Sequence, residues 1–220
     1  MSKAESRDFS IGGIILAPAL ISLAITVIRL IGELQRWPSA LFKREAGGAG
    51  AIVGIVWLVP IFGVYFAIKL CHWGAAPLSA PKAVGLSIIG AIIITCGGFL
   101  LFDQGLKLPG RQLIGLVFFI AGLLVEYFAW PTLFKVMIAY GYSARIPVLI
   151  VMFFAMRGNW GTHYDAGPAG APTEFWPKFL QLAVVPQMLM WIVFTVVVGG
   201  VFGAVAAIFA KSERHVPQPA

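Results

Sequence analysis

Glu126 is the residue whose position in this 220-residue chain most demands a chemical explanation. It lies between Leu124-Val125 and Tyr127-Phe128, inside an apolar stretch with no other charge. An ionised carboxylate in hydrocarbon must face the protein, find a donor or keep its proton. As a functional group it would bind a proton or a cation, with Pro131 a little over one turn later disturbing the helix where a ligand could reach carbonyls. As a structural group it would fix helix register through a buried hydrogen bond. Arg145, Gln187 and Thr195 are the polar residues of other segments best able to reach it, so Glu126, Arg145 and Gln187 form a candidate intramembrane site.

A second concentration of chemistry runs from Arg157 through Gly158, Asn159, Trp160, Gly161, Thr162, His163 and Tyr164 to Asp165. His163 and Asp165 could share a proton or bind a metal, and the flanking glycines permit turns that would converge them. A stable metal site needs three or four ligands, and no other histidine or cysteine lies at a matching spacing, so no metal and no cofactor are expected. The other reading of Trp160, His163, Tyr164 and Asp165 is an ordered interfacial loop with its aromatics at headgroup depth. Arg29 and Glu33, four residues apart, read as a surface ion pair contributing a few tenths of a kcal/mol.

The elements that must position these residues are apolar blocks at 11–30, 51–70, 83–102, 113–134 and 179–210, each carrying at most one formal charge. A bilayer core of ~30 Å is crossed by about 20 helical residues, which these blocks supply. With 60% hydrophobic and 11% charged residues, the composition excludes a soluble domain. The expected fold is an all-α integral membrane protein, a polytopic bundle of five transmembrane helices plus a half-length re-entrant or interfacial helix at 146–156. One domain spans 1–220, with an ordered loop at 157–178 and a polar tail at 211–220. The 146–156 stretch alone covers ~16 Å. Extending it back through Met137, Ile138 and Tyr140 gives a sixth span, at the cost of placing Arg145 and Pro147 at mid-membrane depth. Lys3 and Arg7 precede the first block as in a signal peptide, but the block runs on without a small-x-small site, so it reads as an uncleaved span.

Small residues suggest how the helices meet. Gly50 and Gly54 open the second block, and Gly199, Gly203 and Ala207 form a stripe at four-residue intervals, suited to close packing within the chain or against a second copy. Trp37, Trp73, Trp130, Trp160 and Trp176 fall near block ends, as in an aromatic belt. Cys71 and Cys96 are expected to remain thiols. The net charge of +7 comes from basic residues at block ends, which suit the headgroup phosphates of the lipid bilayer rather than nucleic acid. These residues divide evenly between the two sides of a five-span path, and the cluster Arg29, Arg36, Lys43, Arg44 favours a cytoplasmic first loop.

Three functions fit a protein integral to a cellular membrane, the plasma membrane in a bacterium. It is a non-enzymatic membrane subunit or scaffold, with a second copy or another membrane subunit as partner; a proton- or ion-linked small-solute transporter using Glu126; or an enzyme acting on lipid headgroups through the 157–165 loop. Whether Glu126, Arg145 and His163 share one cavity discriminates among them.

Overall fold

Helix α1 (Ile11–Leu34) begins where the Ser10 hydroxyl accepts a hydrogen bond from the Gly13 amide. Its 24 residues give ~36 Å of helix. The helix is inside out compared with one in water. Leu16, Leu20, Val27 and Ile31 face outward, while Pro18, Ser22, Thr26, Arg29 and Glu33 are buried. Hydrocarbon explains the reversal, because apolar side chains lose nothing by facing lipid and polar ones find partners only inside. Ser22 and Thr26 donate to the Pro18 and Ser22 carbonyls at 2.9 Å, and the Ser22 hydroxyl also meets the Tyr140 phenol at 2.9 Å.

The computed structural model describes residues 10–46, 51–102 and 108–210, and they contain no strand. After α1 come α2 (Leu58–His72), α3 (Ala80–Phe102), α4 (Arg111–Ala129), α5 (Pro131–Gly158), the short α6 (Phe175–Phe179), two π-helical turns (Leu180–Val184 and Pro186–Met190) and α7 (Trp191–Phe209). Helices α1, α3, α4 and α5 and the rod Phe175–Phe209 are long and apolar enough to cross a membrane, and α2 is a shorter apolar helix. The protein is thus an all-helical polytopic bundle of five long helices and one short one.

The short element is not the expected one. Residues 146–156 are the second half of α5, which runs for 28 residues, ~42 Å. The re-entrant version fails because the cost assigned to Arg145 and Pro147 presumed exposure to lipid, whereas Arg145 faces the protein and Pro147 is accommodated within the helix. The shorter helix is instead α2, since 51–57 does not continue it as a helix. The expected 113–134 span is also divided. Trp130 is extended (φ −158°, ψ 88°) between α4 and α5, and Pro131 opens α5 where its missing N–H costs nothing. At Pro186 the last helix widens rather than breaks, with Val185 N–H bonding to Leu180 O and Trp191 N–H to Pro186 O.

Contacts at the two ends trace the path. His163 bonds to Glu33, so the segment after α5 lies beside the end of α1. At the opposite end the Trp130 indole donates to the Ala75 carbonyl at 2.9 Å, joining the α4–α5 corner to the α2–α3 turn. Helix α2 therefore runs from the first end to the second, and the chain traverses the bundle six times. Trp130 is buried in that corner rather than in a belt, while Trp37, Trp73, Trp160 and Trp176 remain partly exposed.

Glycine contacts bring the helices together. Gly97 of α3 faces the Gly115 carbonyl of α4, and Gly63 of α2 faces Gly199 of α7. The stripe of Gly199, Gly203 and Ala207 is buried within the chain, with Met137 against Gly199 and Leu133, Gly63 and Ala67 against Gly203. Gly54 lies in the non-helical 51–57 segment against Arg29, so it opens no helix. Gly50, Lys3, Arg7 and the tail lie outside the described residues.

A Cβ added at Gly63 would stand 2.5 Å from the Gly199 carbonyl oxygen and 2.7 Å from its Cα, backbone atoms that yield only if α2 and α7 separate. Gly63→Val is expected to destabilise by ~1–3 kcal/mol, as overpacking does. Gly85, on the outer surface of α3, has open space around it, and Gly85→Ala should leave stability unchanged or slightly raised. The fraction of detergent-solubilised protein surviving a heating series on size exclusion measures both.

Candidate functional site

The site starts at the end of α1. Glu33 is 2% exposed, and its carboxylate accepts from Arg29 Nε at 2.8 Å one turn back on the same helix. The His163 amide donates to Oε2 at 2.8 Å, and His163 Nδ1 lies 2.6 Å from Oε1. Arg29 also reaches the Lys43 carbonyl at 3.4 Å. The expected surface ion pair is therefore a buried one, with a third partner 130 positions further along the chain.

The segment that brings His163 there is built locally. Asn159 closes α5 in the left-handed conformation (φ 48°), and Gly161 follows at φ +69°. Asp165 then accepts from the Gly161 amide at 2.9 Å and from the Thr162 amide and hydroxyl at 2.7 Å. It organises its own turn, while His163 turns to Glu33, so the two do not converge as a metal pair. No group of three metal-binding side chains occurs among the described residues. Trp160 packs on Gly158 and stays partly exposed, whereas Tyr164 is buried and donates to the Thr26 carbonyl at 3.3 Å.

An ionised Glu33, already accepting from Arg29 Nε and the His163 amide, can only accept from the ring as well, which assigns the ring proton to His163 Nδ1 and leaves Nε2 as the lone-pair nitrogen. Burial pushes the imidazole below its ordinary 6.5 and the nearby Arg29 charge adds to this, while the bond to Glu33 opposes it. Burial pushes the Tyr164 phenol up, so it stays a neutral donor.

His163 and Tyr164 help to wall a cavity of about 660 Å³. Thr26 and Arg29 of α1 line one side, Ile52 and Trp57 the irregular segment, Arg145 and Met152 α5, and Gln187 and Trp191 the widened last helix. The places where regular helix gives way, 51–57 and the π turns, thus meet at one space. Irregular backbone at membrane depth belongs where it borders a cavity.

Arg145 lies midway along α5 and is 4% exposed. Its Nη1 donates to Gln187 Oε1 at 3.3 Å, and the guanidinium sits 4.4 Å from the Trp191 ring centroid. Its Nη2 has no hydrogen-bond partner. Arg29 is neutralised by Glu33, and Asp165 is engaged by its own turn. Among the described residues no carboxylate pairs with Arg145.

Glu126 lies elsewhere. It points into the bundle, but Arg145 and Gln187, its expected partners, bond to each other, and Thr195 donates to the Trp191 carbonyl at 2.7 Å. The carboxyl packs instead against Gly90 of α3 and Gly200 of α7, with Ser87 within hydrogen-bonding reach. Side-chain chemistry names the polar residues that could pair with a buried acid, and the helix packing decides which of them Glu126 can reach. Of Glu126, Arg145 and His163, the last two share the cavity and Glu126 does not line it.

Sequence reasoning missed Glu33 and the buried row behind it. The signal was present as Pro18, Ser22, Thr26, Arg29 and Glu33, spaced by four, four, three and four residues along one face of an otherwise apolar helix. No family model, curated protein or solved structure matches this chain.

The loop's attachment should depend on pH. His163 binds a proton more weakly when docked than a free imidazole does, so the detached state takes up more protons as pH falls below 6.5. Attachment is complete above that pH and weakens beneath it. Amide exchange across 160–166, corrected for intrinsic rates, should accelerate from about pH 7.5 to about pH 5.5. His163→Gln should flatten that dependence.

Proposed function

We propose that the protein is a non-enzymatic, membrane-embedded binding protein for an amphiphilic anion, whose carboxylate or phosphate head is held at Arg145 in the cavity. The observation that carries this reading is the buried Arg145 guanidinium, whose Nη2 has no hydrogen-bond partner and which no acid among the described residues pairs with. A lone charge at that depth costs several kcal/mol, a cost that an anion in the cavity would offset. The planar guanidinium suits two oxygens of one head, and Gln187 and Trp191 already hold its orientation.

The remaining wall suits an apolar body. Ile25, Ile55, Val148, Met152 and Leu182 supply hydrocarbon surface, with only a few polar groups among them. With Arg29 already matched by Glu33, the described lining of the cavity carries one uncompensated positive charge and favours a monoanion. The described lining contains no serine or cysteine, and the Thr26 hydroxyl is bonded back to Ser22, which favours binding over nucleophilic catalysis. The membrane itself is a source of such ligands.

Binding of a dansyl-labelled undecanoic acid to the full-length protein, read from dansyl fluorescence against its uncharged methyl ester, tests the proposal. The acid should bind saturably and the ester weakly. Arg145→Met should weaken the acid about tenfold or more, ~1.4 kcal/mol, yet leave thermal stability unchanged or raised because a desolvated charge is removed. Equal binding of acid and ester, or retained affinity in Arg145→Met, would overturn the reading. A matching dansyl alkyl phosphate separates the two head chemistries.

A further inference from the structure

Outside the cavity, the least satisfied polar group lies in the seam between the α3–α4 hairpin and α7. Helices α3 and α4 pack extensively on each other and meet the rest of the bundle chiefly through α7. Glu126 sits in that contact, 3% exposed. Two glycines make room for its carboxyl. A Cβ at Gly90 would stand 3.1 Å from Oε1, and one at Gly200 would stand 2.9 Å from Oε2. Oε1 has no hydrogen-bond partner.

The described groups facing it supply no positive charge. Helix α3 presents the buried Ser87, α7 contains no titratable side chain, and α4 contributes the neighbouring Tyr127. The basic residues of the packed helices are Lys82 on α3, Arg111 on α4, and Lys135, Arg145 and Arg157 on α5. None forms an ion pair with Glu126 among the described residues. An ionised carboxylate there would have one hydroxyl for company.

We propose that Glu126 is a proton-binding site, a neutral carboxylic acid in the closed seam that ionises only when the α3–α4 hairpin parts from α7. The ligand is the proton itself, since it removes the charge that the seam cannot solvate and needs no space. This site uses none of the residues that hold the anion, so either can fail alone. The close approach of Gly90 and Gly200 then has a chemical consequence, because the carboxyl cannot ionise without water reaching a contact that now excludes it.

Dicyclohexylcarbodiimide, an apolar reagent that adds to a protonated carboxyl, tests the proposal on the full chain in lipid nanodiscs. The acid proton passes to a carbodiimide nitrogen, the carboxylate oxygen bonds to the central carbon, and the O-acylisourea rearranges to a stable N-acylurea with nothing lost. Mass spectrometry should find the adduct on Glu126 at neutral pH and none in Glu126→Gln. In parallel, the melting temperature of the wild type should fall from neutral to alkaline pH, because the folded state holds a proton that the unfolded state has released, and Glu126→Gln should show no such fall. Either an adduct that sodium does not block or a fall that Glu126→Gln abolishes supports the site. Absence of both overturns it, as does an adduct blocked by sodium but not by choline, which would mark a cation site instead.

Discussion

Everything near the cavity depends on one buried carboxylate. Glu33 receives Arg29 Nε and both the amide and the ring of His163, and each of these donors would be stranded without it. Lipid makes this more than one contact among many. The outward apolar surface of α1 gains nothing by packing on protein rather than on acyl chains, so its hydrophobic residues cannot decide where the helix sits. Its polar face can. Ser22 meets Tyr140, Thr26 receives Tyr164 and Glu33 receives His163, three links spread over ~16 Å of helix. They hold α1 against α5 and the segment that follows it, and the cavity opens between those walls and the irregular 51–57 chain.

The rest of the bundle is assembled by a different force. Between α2 and α7, and between α3 and α4, contact is made where glycines let backbones touch, and dispersion over that close approach does the work. Aromatic edges add to it around Tyr140, whose ring lies 5.3 Å from Phe62 and 5.5 Å from Phe66. Tyr140 thus belongs to both systems, its ring in the apolar contact with α2 and its hydroxyl in the polar ladder of α1.

Composition and block length were enough to read the solvent and most of the long helices, because a run of apolar residues has few stable places in a cell except a bilayer. The errors share a cause. Residues 146–156 read as short of a span because Arg145 and Pro147 are expensive against lipid, and that cost falls, without disappearing, once the arginine turns inward to Gln187 and Trp191. The 51–57 segment reads as helix because Ile, Val and Trp look alike in sequence whether they stand in a helix or in an irregular wall. Arg29 and Glu33 looked like a surface pair because helical spacing is visible locally, whereas His163 arrives from the far side of α5. The sequence does carry one signal of the buried face, the period of the polar residues in α1. In a membrane helix the polar stripe marks the inside, as the apolar stripe does in water.

The two arginines of the cavity show why burial alone does not identify function. Arg29 is 8% exposed and Arg145 4%, and both wall the same space. They differ in what their removal would leave behind. Without Arg29, Glu33 loses a charged donor in a buried site, so that arginine belongs to the framework that holds His163. Without Arg145, the Gln187 amide oxygen loses its partner among the described residues, and a costly desolvated charge is gone. A framework residue makes its surroundings poorer when it leaves, whereas Arg145 relieves them. The fold around it does not account for its presence, and that asymmetry between two similar side chains is what supports the proposed anion at Arg145 rather than at Arg29.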